Sequence, residues 1–203
     1  MKILCVEGLS NSGKTSLCKE LIKLNPTWIW INDVQRNDFI LNKLSEITHP
    51  IINYGLFDEK TEAFLYLSIL SQKATAIERY LERNRGDEDA VLLVDRFALS
   101  SYAYLSQKLG DNDFLSSAIT VASRGIKPDF TILLEVSIET IINRSFSSPL
   151  SRKDIHLKEY YPCISNALHT GLSEYAKKYM IVSSEEFSTI EIARIIQKNV
   201  KDV

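Results

Sequence analysis

The residues with the most recognisable chemistry form a glycine-rich loop close to the amino terminus. Residues 8–15 read Gly-Leu-Ser-Asn-Ser-Gly-Lys-Thr, which matches the phosphate-binding pattern G-x-x-x-x-G-K-[ST]. In such a loop the backbone N–H groups converge on phosphate oxygens, and the helix that follows adds the positive end of its dipole. The candidate phosphate contacts are Gly8, Asn11, Ser12, Gly13, Lys14, Thr15 and Ser16.

Two side chains of this loop and its two flanks make the interpretation more specific. Lys14 is expected to reach the β- and γ-phosphates, and the Thr15 hydroxyl is expected to ligate Mg²⁺. Residues 2–7 form an apolar segment of strand character, and residues 15–24 carry apolar side chains at helical spacing. Strand, glycine turn and helix is the context this pattern needs, and it does not favour the alternative of a chance glycine-rich turn. The sequence therefore predicts a nucleoside triphosphate site.

A second pair of candidates ends another apolar run. Residues 90–95 are continuously apolar up to Asp95, as in parallel strands that are buried on both faces, and Arg96 follows. The carboxyl ends of parallel strands lie where ligands bind in open α/β sheets. Asp95 can hold Mg²⁺ or orient the oxygen that accepts a phosphoryl group, whereas Arg96 can make a two-pronged contact with an acceptor phosphate. A helix cap or an ion pair at the edge of the core is the alternative for Asp95.

Composition excludes several classes of protein. The 203 residues suit one domain over 1–203, and 45% hydrophobic with 25% charged residues is usual for a soluble globular chain. The net charge of −2 lacks the basic excess of a protein that binds a nucleic-acid polymer. No apolar run approaches the ~20 residues that span a bilayer, and no signal peptide is evident. Three cysteines without a C-x-x-C pair fit a reducing compartment, so we expect no membrane partner and a cytoplasmic location.

The remaining pattern alternates strands with helices. Further strands are predicted over 28–32, 130–136 and 179–182. Helices are predicted over 39–47 (closed by His49 and Pro50), 60–84, 98–109, 112–124, 138–146, 154–178 (bent near Pro162) and 189–201. Arg36, in the polar loop after the second strand, is either an acceptor contact or a solvated arginine. This alternation predicts an α/β fold of the P-loop NTPase type, a three-layer sandwich with a parallel sheet of about five strands and helices on both faces.

With these segments in view, the chain resembles the thymidylate kinase family of P-loop nucleoside-monophosphate kinases along nearly its whole length. The matching segments are Val6-Glu7-Gly8 with Gly13-Lys14-Thr15; Asp95-Arg96-Phe97, Ser100 and Ala103-Tyr104; Lys127-Pro128-Asp129 with Thr131; and a basic lid around 144–154 that contains Arg144, Arg152 and Lys153. The segment that begins at Asp95 is the specific match, since the phosphate loop alone occurs in many unrelated enzymes.

The resemblance implies a phosphotransferase that uses ATP and Mg²⁺ and acts as a homodimer on a nucleoside monophosphate or a related small-molecule acceptor. It implies catalytic roles for Lys14, Asp95, Arg96 and Arg152, nucleotide binding by Arg144, and metal binding by Thr15 and Asp95. The acceptor contacts it implies are Ser10, Arg36, Tyr66, Leu70, Arg96, Ser100 and Tyr104. Solvated surface charge is the alternative for the lid arginines. A nucleotide-binding regulator or degenerate kinase without acceptor turnover is the alternative for the whole chain.

The departures from the family pattern concern the acceptor. Ser10 stands where the family usually has an acid beside the acceptor sugar, and Leu70 stands where it has an arginine against the thymine carbonyl; Gln72 of that motif is kept. The family's R-E-P loop is replaced by residues 34–37, with the arginine shifted. A pocket that loses a polar contact also loses the selection which that contact provides. The sequence therefore predicts that thymidine monophosphate is a poor acceptor.

Overall fold

The fold is organised around a parallel sheet whose central strand leads into the glycine-rich loop. The computed structural model describes residues 1–32, 39–54, 58–110, 113–145 and 157–200. In this part of the chain the strands are β1 (Lys2–Glu7), β2 (Ile29–Ile31), β3 (Val91–Asp95), β4 (Phe130–Glu135) and β5 (Tyr179–Ser183). They pair in the order β2-β3-β1-β4-β5, and every pairing is parallel. The predicted parallel sheet of five strands is confirmed.

Eight helices connect and cover these strands in the ranges that the structure describes. They are α1 (Lys14–Leu24), α2 (Phe39–Tyr54), α3 (Glu59–Arg83), α4 (Ala98–Leu109), α5 (Asp113–Ser123), α6 (Ile138–Ser145), α7 (Leu157–Tyr175) and α8 (Thr189–Val200). Asp58 caps α3 by accepting hydrogen bonds from the N–H groups of Lys60 and Thr61. None of the described helices is both long enough and apolar enough to cross a bilayer.

The two faces of the sheet bury two separate apolar clusters. Successive side chains of a strand point to opposite faces. Accordingly, Ile3 and Cys5 of β1 join the cluster formed with α3, α4, α5 and α7. Leu4 and Val6 join the cluster formed with α1 and α8. Burying one such side chain contributes about 1.5–3 kcal/mol, so both layers of helices are held firmly to the sheet. The predicted α/β architecture with helices on both faces is therefore confirmed.

One predicted boundary is wrong. We expected the helix that begins at Phe39 to be closed by His49 and Pro50, but α2 continues through Pro50 to Tyr54. A proline inside a helix removes one backbone hydrogen bond and crowds the preceding turn. Here α2 packs against α3 and buries Leu41, so tertiary packing outweighs the local cost. Pro162 likewise lies within α7, which runs from Leu157 to Tyr175.

Candidate active site

The glycine-rich loop has the curled backbone that a phosphate cradle requires. Gly8 has φ 143°, and a Cβ atom at this position would lie 2.5 Å from the carbonyl oxygen of Leu134 on β4. Gly13, the N-cap residue of α1, has φ 99°, which is in the left-handed region that favours glycine. Any larger residue at Gly8 would push the loop away from the sheet. These two glycines therefore let the chain pass from β1 into α1 with the first N–H groups of the helix facing the loop.

A cavity of about 1100 Å³ opens above this loop. Its lining includes residues 10–16, Asp95 and Arg96 from the end of β3, and Arg144 from α6. The fold thus brings together three groups of predicted site residues that are far apart in the sequence. Trp30 and Asn32, at the end of β2, also line the cavity, although the sequence analysis assigned them no role. Their position follows from strand order, because β2 lies beside β3 in the sheet.

Lys14 is buried against its own loop. Its Nζ donates hydrogen bonds to the carbonyl oxygen of Leu9 and, at 3.2 Å, to the hydroxyl of Ser12. Burial lowers the pKa of Lys14 well below its usual value, and the nearby charge of Arg96 acts in the same direction. An anion bound in the cavity would favour the charged form of this lysine. Lys14 as a whole is only 5% exposed.

Thr15 and Asp95 meet at the position predicted for a metal ion. The Thr15 hydroxyl donates a hydrogen bond of 3.1 Å to Oδ2 of Asp95, although 80 residues separate them. Within the described residues no group of three or more histidine, cysteine, aspartate or glutamate side chains could hold a metal. The Thr15 hydroxyl and the Asp95 carboxylate fit Mg²⁺, which prefers oxygen ligands. This ion commonly takes only one or two ligands from the protein, and waters and substrate phosphates complete its coordination shell.

Arg96 stands between the phosphate loop and α4. Its guanidinium donates to the carbonyl oxygen of Gly8 at 2.9 Å, to the Ser100 hydroxyl at 3.2 Å and to the Ser10 hydroxyl at 3.5 Å. Its Cζ also lies 5.4 Å from the centroid of the Tyr104 ring. The backbone of Arg96 has φ 60°, a left-handed conformation that costs a non-glycine residue about 1–3 kcal/mol. Such strain persists where the surrounding structure fixes it.

Glu7 is a site residue to which the sequence analysis assigned no role. Its carboxylate lies at the end of β1, is 1% exposed, and accepts hydrogen bonds from the Phe97 N–H at 2.8 Å and from the Ser100 hydroxyl. It also accepts a bond of 3.4 Å from the Cys5 thiol. Burial raises the pKa of Cys5, and the charge of Glu7 raises it further. The available signal was an acid at the end of an apolar run, because a carboxylate that is buried there needs polar partners.

The predicted acceptor residues divide into two groups. Ser10, Ser100 and Tyr104 surround Arg96, and the Tyr104 hydroxyl accepts a bond of 3.0 Å from the backbone N–H of Ser10. The described lining of the large cavity includes Ser10 and Arg96 but not Ser100 and Tyr104 of α4 or Tyr66 and Leu70 of α3. Leu70 is 2% exposed within the apolar core, whereas Tyr66 is partly buried beside it, and this burial raises the pKa of Tyr66.

Comparison with known proteins decides the family. The family model described as thymidylate kinase matches residues 6–196.

The chain belongs to the thymidylate kinase family.

Among its curated relatives is the thymidylate kinase of Prochlorococcus marinus strain NATL2A, which is 27% identical over 99% of this chain and 98% of the relative. The thymidylate kinase of Ligilactobacillus salivarius strain UCC118 is 25% identical over 99% of this chain and 94% of the relative. That of Nitratidesulfovibrio vulgaris strain DP4 is 29% identical over 71% of this chain and 63% of the relative. Membership of the thymidylate kinase family supports a nucleotide kinase function and confirms the resemblance seen in the motifs.

Of the segment predicted as a basic lid, around 144–154, the structure describes only residues 144 and 145. Arg144, near the end of α6, donates a 3.1 Å bond to the carbonyl oxygen of Asn11 in the phosphate loop. The first turn of α6 is held by Glu185, which accepts hydrogen bonds from Ser137 and Thr140. These bonds lower the pKa of Glu185. Arg36, Arg152 and Lys153 lie outside the described residues, so their assigned roles stay predictions.

Proposed function

We propose that this protein transfers the γ-phosphoryl group of ATP to the phosphate of a nucleoside monophosphate or of a related small-molecule acceptor. The observation that carries the proposal is the position of Arg96. Its guanidinium lines the same cavity as Lys14, Thr15 and Asp95, and it points to Ser10 at the edge of the phosphate loop. An arginine beside a triphosphate cradle can bind a second phosphate with two parallel hydrogen bonds. This arrangement supports a phosphate-bearing acceptor.

Some of these residues would bind the ATP phosphates and the metal ion, and Arg96 would position the acceptor. Backbone N–H groups of the loop and Lys14 would bind the β- and γ-phosphates, and Thr15 and Asp95 would hold Mg²⁺. When bound, Mg²⁺ neutralises charge on the phosphates. Arg96 would hold the acceptor phosphate so that one of its oxygens attacks the γ-phosphorus in line, while ADP leaves from the opposite side. Such a transfer needs orientation and fixed charge, with no covalent intermediate on the protein.

Other parts of the proposal extend beyond this geometry. Arg144 and the lid residue Arg152 are proposed to approach the ATP phosphates when the nucleotide is bound. A homodimer, a single domain over 1–203 and a cytoplasmic location stay predictions. Identity of the acceptor base, if the acceptor has one, is left to experiment, because Ser10 and Leu70 differ from the family pattern.

The test is an assay of ADP release with Mg-ATP over a panel of nucleosides and nucleoside monophosphates. At least one monophosphate is expected to stimulate ADP release, and the matching diphosphate product should appear in equal amount when the mixture is separated by chromatography. ATP binding without stimulation by any acceptor would overturn the proposal. That result would favour the alternative of a nucleotide-binding regulator or degenerate kinase.

A further inference from the structure

A lysine on the core face of α3 contacts the turn that carries the predicted catalytic pair. Lys73 is 3% exposed, and its neighbours at helical spacing, Leu70 and Ile77, belong to the apolar core. A buried ammonium group needs polar partners, because leaving it without them is costly. Its Nζ donates hydrogen bonds to the carbonyl oxygens of Asp95 at 2.8 Å and of Arg96 at 2.9 Å. The ammonium group of Lys73 therefore donates hydrogen bonds to two consecutive backbone carbonyls.

These two carbonyls belong to the peptide units on either side of the Arg96 Cα atom. The other polar groups of the same two units are also bonded. The Arg96 N–H donates to the carbonyl oxygen of Val6 at 3.0 Å, and the Phe97 N–H donates to Glu7 at 2.8 Å. All four backbone groups around the left-handed Arg96 are thus held, two of them by Lys73. This is how a strained conformation can be fixed by its surroundings.

The side chains with proposed functions are attached to this backbone. Asp95 extends from it to the Thr15 hydroxyl, and Arg96 extends from it to Gly8 and Ser10. A rotation of either peptide unit would move both groups relative to the phosphate loop. A buried basic side chain, Lys73, and a buried acidic side chain, Glu7, thus bond the same turn. Burial and the charge of Glu7 raise the pKa of the Cys5 thiol on β1, whereas the charge of Lys73 lowers it.

We propose that Lys73 is a positioning residue for phosphoryl transfer. Its ammonium group holds the turn between β3 and α4, so that Asp95 stays at the metal position and Arg96 stays at the acceptor position. The inference rests on the proposed function for its catalytic consequence, but the hold on the backbone can be tested without turnover. A misplacement of about 1 Å in such a constellation can reduce the rate about 10²-fold.

The experiment compares Lys73→Met with Ile77→Ala. Methionine keeps the length and burial of the side chain but has no N–H donor. Ile77 lies one turn farther along the same face of α3, is fully buried, and loses apolar contacts when shortened. It therefore controls for loss of stability alone. Should Lys73→Met fail to fold, Lys73→Gln takes its place.

Hydrogen exchange of the amides of Arg96 and Phe97 is measured together with kcat and with ATP binding in the absence of acceptor.

We expect Lys73→Met to speed exchange of the Arg96 and Phe97 amides about 10-fold or more relative to Ile77→Ala. We also expect kcat to fall about 10–100-fold, with ATP affinity changed less than about 3-fold, because both described bonds go to the turn. Equal exchange of these amides in the two variants would overturn the proposal, even if the wild type shows no turnover. Faster exchange with an unchanged kcat would overturn the positioning role while the proposed function stands.

Discussion

The phosphate side of the molecule (the phosphate loop and the turn after β3) and its acceptor side (the predicted acceptor positions of α3) are built on different principles. On the phosphate side, charged and polar groups are buried and hydrogen-bonded, as Glu7 and Lys14 illustrate, and Lys73 of α3 bonds the turn after β3 in the same way. On the acceptor side, the predicted positions are apolar or aromatic and lie outside the described lining of the cavity, with Leu70 inside the core and Tyr66 packed against it. Arg96 and Tyr104 lie where the two sides meet, with the arginine over the tyrosine ring.

This difference indicates how many substitutions each side can tolerate. A buried polar network tolerates few substitutions, because removing one partner leaves another group buried without its bond, at about 1–3 kcal/mol. Substitutions among apolar residues cost less stability, and an apolar pocket discriminates less strongly between ligands. Gly8, Gly13, Lys14 and Thr15 match the family pattern, whereas the departures at Ser10 and Leu70 concern positions predicted to contact the acceptor. We therefore expect substitutions at the predicted acceptor positions to change acceptor choice while phosphate binding is kept.

The largest expected effect tests the phosphate side. Lys14→Met should lower kcat about 10³-fold, because it removes a positive charge beside the transferred phosphoryl group, worth about 3–4 kcal/mol. A coupled assay of ADP formation measures the loss, and thermal unfolding checks that the variant is folded. The matched control is Lys23→Met, an exposed lysine of α1 whose partner is Glu20. Turnover of Lys14→Met within about 3-fold of the wild type would contradict the assignment of the nucleotide site.

The second effect tests the boundary between the two sides. Arg96→Lys should reduce turnover of a phosphate acceptor about 10²-fold, because lysine cannot make two parallel hydrogen bonds to one phosphate. The reduction in turnover caused by Arg96→Lys should be smaller with an uncharged acceptor. Arg124→Lys is the control, because Arg124 also has a left-handed backbone (φ 56°) but binds Glu78 away from the cavity. Full activity of Arg96→Lys on a monophosphate would remove Arg96 from its proposed role.

The third effect tests the acceptor side. Thymidine monophosphate should be a poor acceptor, with kcat/KM at least about 10²-fold below that of the best acceptor found. The reason is that Ser10 and Leu70 replace an acid and an arginine of the family, and each charged hydrogen bond is worth about 1.5–3 kcal/mol. Steady-state kinetics over the panel of acceptors measures the ratio. Selective turnover of thymidine monophosphate at about 10⁵ M⁻¹s⁻¹ or above would show this prediction to be wrong.

The smallest effect concerns the contact between the phosphate loop and α4. Tyr104→Phe removes the hydroxyl that bonds the backbone N–H and, at 3.2 Å, the side chain of Ser10. We expect KM for the acceptor to rise about 5–10-fold, which corresponds to about 1 kcal/mol for the lost hydrogen bonds. ATP affinity should stay the same. Tyr179→Phe, at a half-exposed position of β5, provides the control. An unchanged KM for the acceptor would show that the Tyr104 hydroxyl does not contribute to acceptor binding.

Most secondary structure could be predicted because it depends on residues that are close in the sequence. The apolar run that ends at Asp95 identified β3, and the residues around Lys14 identified the strand, loop and helix of the phosphate site. The continuation of α2 through Pro50 could not be predicted in this way, since the local signal favours an end there. Packing of α2 against α3 decides it, and that contact is not visible in the sequence around Pro50.

The sequence by itself determined the kind of chemistry, because glycines at 8 and 13 followed by Lys14 and Thr15 can form a phosphate cradle with neighbouring residues alone. Only the tertiary structure decided how Asp95 and Arg96, the predicted catalytic pair, are held. Glu7 meets Phe97 across 90 residues, and Lys73 meets Arg96 across 23. Helical spacing could place Lys73 on the buried face of α3, but it could not name the partners. Those depend on which strand lies beneath the helix, and strand order is set by the packing of the whole sheet.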